Sequence, residues 1–158
     1  MEDPVVQDLW GGLLSSSCTE AGDDDSNLLF ITLLSELTKL EARLLKYICE
    51  NAPKSAARSG LILAEHFTVS LDSLTEISGE TDIHRLDREL DHLREVGLIH
   101  GGFHSDSPNV EAIVAPSAIG LHMYVRCQGL RTSPIDFFGL EIPDTKTTEK
   151  EGTQDTAS

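Results

Sequence analysis

The side chains of this sequence best able to bind a metal ion or act as nucleophiles are its six histidines and three cysteines. His100 and His104 would share one face of a predicted strand, and His84 and His92 lie eight residues apart on a predicted helix. A structural zinc site uses four protein ligands, and a catalytic one uses three with a water molecule. No subset of these residues has a recognised ligand spacing. The sequence therefore predicts no metal site and no cofactor.

Nucleophilic catalysis is disfavoured as well. Cys127 lies near His122 in "GLHMYVRCQG", but the apolar residues around this thiol predict that it is buried and inert. The chain has no nucleophile elbow, no phosphate-binding loop and no dinucleotide glycine pattern. Together with Cys18 and Cys49 the cysteines form an odd set without CxxC spacing, so we expect reduced thiols. We expect a protein that is not an enzyme.

The acidic segment of residues 23–27 resembles the start of a calcium-binding loop. Asp23, Asp25 and Asn27 have the spacing of the first three ligands. However, Leu28 stands where the turn glycine belongs, and Leu34 stands where the bidentate glutamate belongs. We therefore interpret the segment as a solvated acidic loop.

Nucleic-acid recognition would depend on Arg85, Arg88 and Arg94, which the predicted helix "TDIHRLDRELDHLREVG" would expose. The exposed positions of residues 82–95 carry five acidic residues against these three arginines. Arginines and acids three or four residues apart on a helix satisfy each other. The hairpin that follows adds no Lys or Arg between residues 97 and 120. This pattern disfavours binding to a phosphate backbone.

The net charge of −15 is concentrated at the two ends of the chain. Residues 1–27 carry seven acidic residues and no Lys or Arg, and residues 141–158 carry five acidic residues and two lysines. The central residues 28–140 carry fifteen acidic and ten basic residues, a net charge of −5. Even the predicted folded part is therefore mildly acidic, which again disfavours duplex binding.

Periodicity and composition divide the chain into four parts. We expect an amphipathic helix over residues 1–16, an acidic loop over 17–27, a winged-helix-like domain over 28–140 and a disordered tail over 141–158. No apolar run approaches the roughly 20 residues needed to cross a bilayer, and the N-terminus lacks a signal-peptide pattern. The sequence thus predicts a cytoplasmic protein without a membrane partner.

The elements that would position these side chains follow the order helix, short helix, longer helix, hairpin, helix. Thr38 and Glu41 have the spacing of a capping box, and Gly97 suits the position just past a helix end. "LIHGGFH" and "NVEAIVA" read as the two strands of a hairpin. The predicted class is α+β, mostly α: a winged helix-turn-helix-like domain with extra N-terminal helices and a C-terminal helix. The longer helix has one continuous apolar stripe: Ile83, Leu86, Leu90 and Leu93.

The N-terminal helix carries a second apolar stripe, formed by Val6, Leu9, Trp10 and Leu13. One interpretation is that this stripe extends the core of the domain. The other is that part of it binds a protein partner or a second copy of the chain. Gly11 and Gly12 in the middle of this helix indicate either marginal stability or close packing against a neighbour.

Three patches together resemble the abortive infection alpha family of bacterial domains: "EDPVVQDLWGGLLSSS", "LLSELTKLEARLLKYI", and "LDHLREVGLI" followed by "PSAIGLHMYVRCQG". The resemblance spans residues 2–138 and departs from the family pattern at Gly11 and Gly12. It implies a prokaryotic cytosolic protein with a link to phage defence, and members of this family have a longer region before the corresponding first helix. It implies no catalytic residues.

These observations lead to one expected function and one alternative. We expect a protein-interaction domain without enzymatic activity, connected with phage defence, whose partner surface includes Val6, Leu9, Trp10 and Leu13. The alternative is a winged-helix transcriptional regulator that contacts DNA phosphates through Arg85, Arg88 and Arg94.

Overall fold

The helices and strands follow the predicted order, with one additional hairpin near the middle of the chain. A computed structural model describes residues 3–18, 25–104, 106 and 108–144. Within these residues the helices are α1 Pro4–Ser17, α2 Leu28–Glu36, α3 Lys39–Asn51, α4 Leu71–Ser78, α5 Ile83–Glu95, α6 Ala118–Arg126 and α7 Pro134–Phe137. The strands are β1 Lys54–Ala56, β2 Ile62–Ala64, β3 Phe67–Ser70, β4 Ile99–Phe103 and β5 Glu111–Pro116. The class is α+β.

Helix ends lie where the sequence supplies caps. The Asp3 carboxylate accepts hydrogen bonds from the first backbone amides of α1, and Pro4 occupies the first helical position. The predicted capping box of α3 is formed: Thr38 Oγ1 accepts from the Glu41 amide, and the Glu41 carboxylate accepts from the Thr38 amide. Gly97, just past α5, has φ of +80°, the left-handed conformation that favours glycine.

Two small antiparallel sheets complete the described fold. Strands β1 and β2 form the additional hairpin, with Lys54 paired to Ala64. The other sheet has the order β3-β5-β4, so β5 lies in the middle. Phe67 pairs with Val114 on one side, and Gly101 pairs with Val114 on the other. The predicted hairpin is therefore confirmed, and a strand that precedes α4 joins it.

The core is centred on α3 and α5. Leu44 and Ile48 on α3 are fully buried, and α3 packs against α1, α4, α5, α6 and β5. Three of the four residues in the predicted α5 stripe are fully buried, and Ile83 is half-buried. The stripe thus anchors α5 and directs its other residues outward.

Helix α1 is attached to α6 by close packing. A Cβ placed on Gly12 would lie 1.7 Å from the carbonyl oxygen of Cys127, so only glycine allows this approach. Ser16 Oγ donates to the carbonyl of Arg126 at 2.8 Å, and Asn27 donates to Ser16 Oγ at 2.9 Å. Close packing therefore accounts for Gly12, whereas Gly11 faces open space.

Only some of the predicted segments lie fully within the described residues. Helix α1 ends at Ser17, one residue later than predicted. Residues 19–24 of the predicted acidic loop and 145–158 of the predicted tail lie outside the described residues. Residues 141–144 form no helix or strand.

Candidate functional site

The arginines of α5 are partly neutralised within the protein. Arg85 Nη1 lies 3.0 Å from Glu80 Oε2, and its Nε lies 3.6 Å from Glu89 Oε1. Arg94 Nη2 lies 2.8 Å from Asp91 Oδ1, and its Nη1 donates to the Gly101 carbonyl at 3.2 Å. Two of the three candidate phosphate contacts are therefore already paired.

Arg88 is the exception. It is exposed, and it forms no ion pair within the described part of the chain. The hairpin beside α5 adds exposed His100 and His104 but no Lys or Arg. One unpaired guanidinium among several carboxylates makes a surface with little positive potential.

The α1 stripe divides between the core and the surface. Leu9 is 6% exposed and Leu13 fully buried, so these two residues of the predicted partner surface belong to the core and offer no contact area to a partner. Val6 and Trp10 are half-buried and line a surface groove. A helix turns 100° per residue, so a stripe of this width has a covered centre and open edges.

We refer to this groove as the α1 groove; its apolar residues are Val6, Trp10, Leu14 and Leu37. Its volume is about 720 Å³, within the roughly 300–1,000 Å³ of ligand pockets. It runs along α1 from Asp3 to Leu14, a length of about 16 Å at 1.5 Å per residue. Leu14 is 57% exposed. Whether Val6 and Trp10 contact a partner stays a prediction.

Helix α2 adds apolar surface next to α1. Its first residues, Leu28 and Leu29, are 60% and 54% exposed, whereas Leu33 and Leu34 are buried. Asn27, just before α2, donates from its side chain to Ser16 and Ser17 at the end of α1. We call the α1 groove together with Leu28 and Leu29 the α1–α2 face. Helices that are apolar on all sides are normally covered on all sides.

A cluster of two carboxylates and an imidazole lies between α3 and α5. Glu41 Oε2 lies 2.5 Å from His92 Nδ1, and Glu41 Oε1 also accepts from the Thr38 amide at 3.2 Å. One ligand atom from each of Glu41, Glu89 and His92 lies within 4.8 Å of the others. Glu41 is 1% exposed and Glu89 is 8% exposed.

The environment of this carboxylate–histidine cluster changes its protonation. Burial raises the pKa of Glu89, and the neighbouring Glu41 carboxylate raises it further, while Arg85 opposes both effects. The hydrogen bond that His92 Nδ1 donates to the Glu41 carboxylate raises the pKa of His92. Two neighbouring carboxylates in a buried position favour a shared proton or a cation between them.

This cluster was not predicted from the sequence, because histidines paired with carboxylates were not among the ligand patterns considered. The available signal is Glu89-x-x-His92, a carboxylate and an imidazole three residues apart on one helix. Glu41 was recognised as a capping residue but not as a partner of that pair, because 48 residues separate it from Glu89.

The remaining candidates show no reactive arrangement. Cys127 is buried, and burial raises the pKa of its thiol to about 12, while burial also raises the pKa of Cys49. Both thiols therefore stay protonated. Asn27 of the calcium-like segment is buried, and its Oδ1 accepts from Arg126 at 2.8 Å, so it is occupied within the protein. Asp23 lies outside the described residues.

These features define an α+β domain with an open apolar groove and a buried carboxylate–histidine cluster. The family model for abortive infection alpha matches residues 1–115, and the chain belongs to that family. The match confirms the predicted family but ends before α6, so the patch "PSAIGLHMYVRCQG" lies beyond the matched residues. Searches against curated proteins and against solved structures gave no match. Among the helices of the described residues, none has the length and apolar character to span a membrane.

Proposed function

We propose that this chain is a cytosolic protein-interaction domain that acts in abortive infection without enzymatic activity, and that its α1–α2 face binds a basic amphipathic helix of a partner protein. The carrying observation is exposed apolar surface: Leu14, which lines the α1 groove, is more than half exposed, and so are Leu28 and Leu29 at the start of the neighbouring helix α2. Apolar surface concentrated in this way is typical of protein-binding sites.

The shape of the groove supports a helix as the occupant. A groove of about 16 Å along α1 accommodates roughly three turns of a second helix at 5.4 Å per turn. Helices that bind grooves present apolar residues at positions i, i+3, i+4 and i+7, and Val6, Trp10 and Leu14 offer a complementary row. Trp10 also supplies the aromatic surface that is enriched in binding hot spots.

Charge supports a basic partner rather than a second copy. The chain has a net charge of −15, and residues 1–27 contain acidic residues without Lys or Arg. A second copy would carry the same net negative charge. A basic helix would instead be attracted, and its association would be accelerated.

The winged-helix interpretation has support from the connectivity. The order α3, β3, α4, α5, β4, β5, with β5 between β3 and β4, is the arrangement expected of that fold, with α5 in the position of the recognition helix. Fold does not determine function, however. The pairing of Arg85 with Glu80 and of Arg94 with Asp91 favours a protein-binding use of the scaffold. The three free cysteines, two of them buried, support a reducing compartment.

The groove can be tested with an internal reporter, because Trp10 is the single tryptophan of the chain. The probe is a 14-residue amphipathic peptide of leucine and lysine, titrated while Trp10 emission is recorded. We expect a blue shift on binding, since the indole becomes dehydrated. The variant Leu14→Glu should bind at least about tenfold more weakly, equivalent to about 1.4 kcal/mol. The matched control Leu61→Glu changes an equally exposed leucine outside the groove and should bind like the wild type.

Two results would contradict this proposal. The first is equal binding of the peptide and of a scrambled peptide with the same charge, which would indicate attraction without a groove. The second is a molar mass of two chains by light scattering that Leu14→Glu reduces to one, which would make a second copy the occupant. In cells that encode this protein, replacing the native gene by the Leu14→Glu variant should increase phage plaque counts, and Leu61→Glu should not.

The second candidate function is a DNA-binding regulator, which the connectivity and the exposed Arg88 favour. A gel-shift assay with duplex DNA at low salt separates the two proposals. Binding that falls steeply with salt, and that is lost on changing Arg85, Arg88 and Arg94 to Glu, would support the regulator. We expect no shift.

A further inference from the structure

We propose that Glu41, Glu89 and His92 bind one divalent transition-metal ion, of the class of Mn²⁺ or Zn²⁺, between α3 and α5. This site is separate from the α1–α2 face, so its test does not depend on the proposed partner. The three side chains supply two oxygen ligands and one nitrogen ligand, a mixed set that suits such ions better than Ca²⁺ or a thiolate-selected metal.

The ligands are held by two facing helices. Glu89 and His92 are three residues apart on α5, and Glu41 reaches them from the first turn of α3. Metal sites in helix bundles use the same combination, a Glu-x-x-His pair on one helix and a glutamate on another. Glu41 is positioned before any ion binds, because its other oxygen accepts the Thr38 amide in the capping box.

The charges provide an independent reason for a cation. Glu41 and Glu89 place two carboxylates side by side where water has little access. Arg85 lies 3.6 Å from Glu89 and is shared with Glu80 at 3.0 Å. When His92 is the neutral imidazole that a metal ion requires, the two carboxylates give the cluster a net charge of −2, which one divalent ion balances. Buried charges are normally paired or bound to metal.

An ion would require the ligand atoms to move by about 1 Å. Metal–ligand bonds of about 2.0–2.2 Å with angles near 90–110° place neighbouring ligand atoms about 3.0–3.5 Å apart. Glu41 Oε2 and His92 Nδ1, now 2.5 Å apart, would therefore separate by about 0.5–1 Å, and any pair near the 4.8 Å limit of the cluster would approach by up to about 1.5 Å. The His92 side chain is 38% exposed and has room for this rotation. Three protein ligands leave further positions for water.

The test uses the full chain after treatment with a chelator, with Mn²⁺ as the probe. Mn²⁺ is followed by electron paramagnetic resonance and calorimetry, because it binds isolated surface histidines less readily than Zn²⁺ does. We expect one ion per chain, a higher Tm on adding Mn²⁺, and competition by Zn²⁺. Glu89→Gln and His92→Gln should each weaken binding at least about tenfold and remove the rise in Tm.

His84→Gln is the matched control, because His84 is an exposed histidine on the same helix outside the cluster. It should bind Mn²⁺ like the wild type. Circular dichroism in chelator would establish that each variant is folded, and Glu41→Gln, which keeps a capping oxygen, provides a third ligand variant. The proposal is overturned if Mn²⁺ and Zn²⁺ do not bind, or if Glu89→Gln and His92→Gln bind them as the wild type does.

Discussion

The outer face of α5 and the α1–α2 face are both open to solvent, and they differ in how their side chains are satisfied. On α5, Arg85 and Arg94 pair with neighbouring carboxylates. On the α1–α2 face, Leu14, Leu28 and Leu29 are more than half exposed. Two of the three arginines on the outer face of α5 have partners within the chain, whereas the α1–α2 face has large apolar side chains exposed to water.

This difference determines which of the two faces is more available to a partner. Pairing Arg85 with Glu80 lowers its availability to phosphate, because any ligand must first displace the carboxylate. The exposed leucines have no such competitor and gain about 25 cal/mol for each Å² removed from water. The face with more to gain from a partner therefore lies on the N-terminal helices.

The largest expected effect on stability distinguishes the buried side of α1 from its exposed side. Leu13→Ala removes a fully buried side chain and should lower the free energy of unfolding by about 2–5 kcal/mol. Leu14→Ala changes a residue that is 57% exposed and should alter it by no more than about 0.5 kcal/mol. Urea unfolding followed by circular dichroism measures both. A large loss for Leu14→Ala would mean that the α1–α2 face is covered and would break the comparison.

The two glycines of α1 give the next effect. Gly12→Ala places a Cβ against the carbonyl of Cys127, and the backbone shift should cost about 1–3 kcal/mol. Gly11→Ala meets nothing within 4 Å and should stabilise the helix by up to about 1 kcal/mol. Opposite changes in Tm for these neighbours would establish that α1 is attached to α6 on one side and open on the other.

The sequence predicted the features that depend only on residues close together in the chain. The stripe of Leu86, Leu90 and Leu93 was predicted to serve the core, and these residues are fully buried, because helical periodicity alone places them on one face. The capping box of Thr38 and Glu41 was likewise readable, since both partners lie within one turn. The hairpin of β1 and β2 was not predicted, because strands of three residues carry too little periodicity.

Tertiary placement explains what the sequence did not reveal. The α1 stripe was predicted as one surface, but packing on α3 and α6 buries Leu9 and Leu13 and leaves Val6 and Trp10 at the edges. Periodicity identifies an apolar face and cannot tell how much of it a neighbour covers. The carboxylate–histidine cluster needed the packing of α3 on α5, which no short motif encodes.

The response of stability to pH should also differ between the carboxylate–histidine cluster and the α1–α2 face. With a chelator present, the raised pKa of His92 stabilises the folded protein below the unfolded value of 6.5, and this contribution is lost as pH rises through the folded pKa. The raised pKa of Glu89 likewise stabilises the folded protein at low pH, and this contribution is lost as pH rises above 4.5. The free energy of unfolding should therefore fall as pH rises above 6.5, and the free energy of unfolding of His92→Gln should fall less. The apolar α1–α2 face adds nothing in this range, so an equal fall in His92→Gln would contradict the assignment.

The smallest effect concerns the arginines of α5 and tests whether they are structural or free. Arg85→Ala leaves Glu80 and Glu89 without their counter-charge and should cost up to about 1 kcal/mol, limited by solvent screening of a side chain that is 40% exposed. Arg88→Ala removes no ion pair seen in the described residues and should change stability by less than about 0.5 kcal/mol. Thermal unfolding at low and high salt measures both, and the Arg85 effect should shrink with salt. If Arg88→Ala were instead the variant with the larger loss, its guanidinium would have a partner that the comparison omits. If both were neutral in stability but reduced DNA retention at low salt, α5 would be a reading surface after all.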